Sequence, residues 1–189
     1  VLIPEDNGVF YGLDRSQERL ACTNPVQTYI DLVHVGGRGE EAAAVWQALI
    51  AAQEARFTDP QPADRKPLDL AYANAMREVW KKFPQDADVG ALFAEAMMDL
   101  RPWGYWMNDG APYEGVAEAV AIIEKVMARR PDHPGALHLY IHLMEAHAPK
   151  KAEAAADKLL PLAPAAGHLV HMPAHIYQRV GRYADAMKS

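Results

Sequence analysis

From about Ala42 to the last residue, apolar and polar positions alternate with the period of amphipathic helices. The pattern predicts helices at 42–57, 66–82, 87–100, 114–129, 134–147, 150–161 and 167–180, with a stub from 182. Breaking residues stand in the gaps: Asp59-Pro60, Pro84, Asn108-Asp109-Gly110, Pro131 with Pro134, Pro164 and Gly181. Alanine is frequent at core-type spacing, which suits closely packed antiparallel helices. Before Ala44 the pattern differs. Val1-Leu2-Ile3, Gly8-Val9-Phe10-Tyr11 and Leu20-Ala21-Cys22-Thr23 read as short strands, and Asn24-Pro25 opens a helix reaching about Val35. Gly36-Gly37-Arg38-Gly39 is expected to end that helix. The expectation is a mainly α protein, with a small α/β piece at 1–43 and a helical domain at 44–189.

The breaks recur at intervals close to the roughly 33–34 residues of stacked helical hairpins. Ala174 through Ala186 carries a small residue, then Tyr177, then Gly181-Arg182-Tyr183-Ala184-Asp185-Ala186. This segment resembles the tetratricopeptide repeat, which implies an α-α superhelix of hairpins. The match is good at 167–186 and looser at 87–131, 134–164 and 42–84, and Leu100 through Pro112 is an insertion. More narrowly, the chain from about residue 46 resembles a group of uncharacterised bacterial tetratricopeptide proteins. The likeness rests on Asp99-Leu100-Arg101-Pro102-Trp103, Asp132-His133-Pro134-Gly135-Ala136 with Tyr140-Ile141-His142, and Gly167 through Tyr177. Residues 1–43 are similar to the C-terminal end of abortive-infection antitoxin-type transcriptional regulators, through Thr23-Asn24-Pro25-Val26-Gln27-Thr28-Tyr29-Ile30-Asp31-Leu32 and Gly37-Arg38-Gly39-Glu40-Glu41-Ala42-Ala43. The joint near Ala44 is either a natural fusion or an artificial join.

Composition narrows the possible partners. A formal net charge of −6 without a basic run disfavours a sequence-independent grip on nucleic acid. The single Cys22 excludes an internal disulfide and a thiolate zinc cage. No apolar stretch reaches the roughly 18–20 residues of a membrane span. The compartment stays open, with the cytoplasm favoured. The chain reads as a fragment whose last repeat is truncated at Ser189, and self-association through that end is expected.

Histidine placement is the main functional clue. His138 and His142 stand four apart, as do His171 and His175, and the second pair follows the first by about one repeat length. A four-residue gap puts both rings on one helix face. In the tetratricopeptide register, His138, His142, Glu145, His168, His171 and His175 would line the concave groove, with Glu95 and Asp99 from the preceding helix and Trp103 and Trp106 beside them. Two uses of these residues stay open. The resemblance implies a scaffold whose groove holds a peptide or a partner helix. Alternatively, His138, His142, His171 and His175, with Glu145, would bind a divalent metal such as zinc, iron or manganese. Helix-packing histidines satisfied by Glu145, Tyr140, Tyr177 or backbone need neither. No zincin signature is present, because neither histidine pair encloses a glutamate. Hydrolysis would need Glu145 or Glu95 as general base, so no catalytic residue is assigned. Arg101 is expected to pair with Asp99.

Overall fold

A computed structural model describes residues 38–189, and the strands and helix expected at 1–35 lie outside them. The described residues fall into two compact units, one ending at Gln53 and the other running Glu54–Ser189. The first contributes α1 (Arg38–Glu54), which buries Ala43, Leu49 and Ala52. Arg38 and Gly39, expected to break a helix, open this one instead. Glu40 and Glu41 in its first turn face the positive end of the helix dipole. The expected joint near Ala44 thus falls inside α1.

The second unit holds α2 (Lys66–Lys82), α3 (Ala87–Asp99), α4 (Val116–Arg129), α5 (Pro134–Met144), α6 (Glu153–Leu159), α7 (Gly167–Val180) and α8 (Tyr183–Ala186). A 3-10 turn, Pro149–Ala152, leads into α6, so the expected helix 150–161 is two shorter pieces. No strand occurs among the described residues; Trp106 and Pro112 form a single antiparallel bridge within the 100–112 insertion.

Helix ends follow local chemistry. The Asp86 carboxylate accepts the Val89 N–H at 3.0 Å and caps α3. His133 does the same for α5: its buried Nδ1 accepts the Ala136 N–H at 3.0 Å, which leaves Nε2–H to donate to Asp88 at 3.0 Å. α7 ends in a Schellman turn. Gly181 takes φ 84°, and the Arg182 N–H reaches the Tyr177 carbonyl at 2.8 Å.

Each helix from α2 to α8 packs on the next, and α3, α5 and α7 also touch in succession. The core between them includes Tyr72, Met76, Phe93, Ile123, Leu137, Ile141, Leu159, Met172 and Ile176, all fully buried. Small residues permit the approach. A methyl group built on Gly90 would stand 2.6 Å from a Val126 methyl and 3.0 Å from the Trp80 ring. Two tyrosines tie neighbouring helices, Tyr140 donating to Glu124 at 3.0 Å and Tyr177 to Asp157 at 2.9 Å. Burial first, then the adjoining Glu124, pushes the Tyr140 hydroxyl up to about 12.

A candidate metal centre of histidines on α5 and α7

His138, His142 and Glu145 sit at i, i+4 and i+7 on α5 and its C-cap, and therefore on one face. His168, His171 and His175 share a face of α7 in the same way. Because α5 and α7 are neighbours, the two rows meet. His138 Nε2 lies 3.0 Å from His142 Nε2 and 3.0 Å from His168 Nε2. Ligand atoms from all three residues lie within 4.8 Å of one another, close enough to hold one metal ion.

Hydrogen bonding meets this arrangement only by sharing. An imidazole nitrogen carries either one N–H or one in-plane lone pair, and so serves one in-plane partner. His138 Nε2 has two nitrogens at 3.0 Å. The one proton or lone pair on His138 Nε2 is divided between the two contacts, a conflict of demand that leaves neither a full hydrogen bond. A shared cation removes the conflict, because three lone pairs can point to one centre. With Zn–N bonds near 2.0–2.1 Å, neighbouring ligand nitrogens stand about 2.9 Å apart at right angles and about 3.4 Å apart at tetrahedral angles. The two separations from His138 Nε2, both 3.0 Å, fall in that range, and the whole set lies within 4.8 Å.

Electrostatics keep the rings ready to ligate. Burial, reinforced by the neighbouring His142 and His168, pushes His138 down to about 4. Burial also lowers His142, against the opposing pull of Glu145. Both are neutral at pH 7, with lone pairs available.

Glu145 stands behind the rings. Its Oε1 is 3.9 Å from His142 Nδ1 and its Oε2 is 2.8 Å from His175 Nδ1. The second contact is within ion-pair range, yet Oε2 has no hydrogen-bond partner, so the ring N–H is not aligned with it. His142 Nδ1 is also buried without a partner. A neutral His142 ligating through Nε2 would carry its proton on Nδ1, on the side of Glu145, whose nearest oxygen is 3.9 Å away and not hydrogen-bonded to it.

The remaining expected residues divide. His175 Nε2 lies 3.2 Å from His171 Nε2, a separate pair on α7. Trp103 sets its ring edge-on to His142 with centroids 5.2 Å apart, at φ 65° and 73 % exposed, and so forms an open aromatic wall. Trp106 instead stacks on His147 at 4.1 Å and donates to the Leu143 carbonyl at 2.6 Å, pinning the insertion to the end of α5. Asp99 pairs with Arg56 at 2.8 Å rather than with Arg101, which lies over the Tyr113 ring at 4.0 Å. Glu95 is exposed, and the charges acting on it are those of Asp99 and Arg56. Tyr140 and Tyr177, the other proposed histidine partners, are engaged by Glu124 and Asp157.

Neither a family profile, a curated protein nor a solved structure matches this chain.

Proposed function

We propose that this chain is a metal-binding helical-repeat protein that holds a divalent transition metal on His138, His142 and His168, with Glu145 orienting His142 from behind. The observation that carries the reading is the convergence of three histidine ligand atoms within 4.8 Å of one another, with His138 Nε2 at 3.0 Å from two other ring nitrogens. Three imidazole nitrogens suit zinc, iron, nickel or copper, and they leave coordination positions for water or an incoming group. Trp103 and the exposed His168 border that open side. Glu145 faces the backs of His142 and His175, which suits orientation rather than general-base work. The reading is therefore of binding, not of hydrolysis.

The array is read as tetratricopeptide-like, supported by the packing of each helix on the next and by the row α3, α5 and α7. A peptide-binding scaffold using the same face is the second reading. The exposure of Trp103 beside His142 favours it, because an unpaired aromatic wall offers apolar contact to a bound chain. The antitoxin-type reading rests on residues that lie almost wholly outside 38–189.

Cobalt(II) titration of the untagged, chelator-treated protein tests the metal reading. Visible ligand-field bands saturating at one tight equivalent in the wild type, and lost in His138→Ala, are expected. A wild type that develops no bands overturns it.

A further inference from the structure

We infer that His171 and His175 form a second, weaker cation position, coupled to the first through Glu145. The inference rests on the metal reading of His138, His142 and His168 and extends it to a two-cation groove.

The second pair is built like the first. Both are four residues apart on one helix face, and in both the Nε2 atoms converge, at 3.2 Å on α7 against 3.0 Å on α5. In both, the inner histidine turns its Nδ1 to the same carboxylate: His142 to Oε1 and His175 to Oε2 of Glu145. A carboxylate facing Nδ1 selects the tautomer with the proton there and leaves the Nε2 lone pair free for a metal. Glu145 thus stands beside one ring of each cluster, and alignment of the two Nδ1–H groups with it would prepare one ligand in each.

The surroundings set the order of filling. Two protein nitrogens, one of them on the exposed His171, bind less tightly than three of which two are half-buried. Water would complete the shell. There is room for it, because His175 borders an open hollow of about 610 Å³ shared with Gln178, Arg179, Tyr183 and Met187. The negative charge of Glu145 between the two positions offsets part of the repulsion between two cations. The first cation should therefore fill the α5 cluster and the second the α7 pair, at least about tenfold more weakly.

Equilibrium dialysis of the untagged protein against zinc, with folding checked by circular dichroism, separates this inference from the reading beneath it. The wild type should take up one tight equivalent and a second, weaker one. His171→Ala should lose only the weak equivalent, and His138→Ala should lose the tight one. Glu145→Gln should weaken both, which a merely local role beside His142 would not do. A wild type that stops at one equivalent, or a His171→Ala variant that keeps two, overturns the second position and leaves the first standing. Loss of the tight equivalent in His171→Ala, with none lost in His138→Ala, overturns the underlying reading.

Discussion

Removing His138 separates a metal site from a cluster of packing histidines, because the two accounts predict opposite balances of stability and binding. His138 Nε2 is the nitrogen that both His142 and His168 approach at 3.0 Å. Without metal, these contacts share one proton or lone pair and are partly open to water, so His138→Ala removes only weak bonds from a partly exposed site. The metal-free variant should lose less than about 1 kcal/mol, well under the 2–5 kcal/mol of a fully buried large-to-alanine change. Binding should suffer far more. Loss of an outer-shell partner typically costs 10–100-fold in metal affinity, and a direct ligand should cost at least about a hundredfold, close to 3 kcal/mol. Thermal unfolding with and without zinc reads both quantities. A ligand at a hundred times its dissociation constant adds about 2.7 kcal/mol to the native state, or roughly 5–10 °C for a chain of this size. The wild type should gain that increment and His138→Ala should not, although the two metal-free proteins melt within a few degrees of each other. An equal zinc-dependent rise in the variant would refute the reasoning, as would a metal-free variant destabilised by several kcal/mol.

Other perturbations probe separate parts of the account. Glu145→Gln keeps the shape but weakens the pull on His142 Nδ1, so cobalt affinity should fall about 10–100-fold in a spectroscopic titration. Metal-free stability should decline as pH falls from about 6.5 toward 4: the lowered folded-state pKa of His138 means the unfolded chain binds the extra proton first. This contribution, at most about 3 kcal/mol, is fully present above pH 6.5, and urea unfolding across that range measures it. Nickel should quench part of the tryptophan fluorescence, through the ring of Trp103 beside His142, and Trp103→Phe should remove that component. Gly90→Ala should cost about 1–3 kcal/mol in chemical denaturation without altering metal content, since its methyl meets Val126 and Trp80.

The helices were legible because their signals are local. Pro84 just before α3, Pro134 at the start of α5 and Gly181 after α7 act within a few residues of themselves. The two HxxxH pairs were legible for the same reason. Equal spacing suggested that His138 would face His171 and His142 would face His175. Instead His168, nearly a turn earlier on α7, reaches His138. That stagger is set by how Met172 and Ile176 seat in the core and by the irregular path from Leu160 to Ala166, neither of which a residue count contains. His133 gave no sign of its role, yet a histidine immediately before a helix-opening proline is a cap position in hindsight. The Arg56–Asp99 pair joins residues 43 apart in sequence and displaces the nearer Arg101 partner, a choice only tertiary packing makes.

The account stands most directly on the metal content of the untagged chain, measured by elemental analysis after exposure to a mixture of zinc, iron and manganese and extensive dialysis. It predicts close to one retained equivalent in the wild type and almost none in a His138→Ala/His142→Ala/His168→Ala variant of unchanged helicity. Equal metal in both proteins, or none in either, would contradict it.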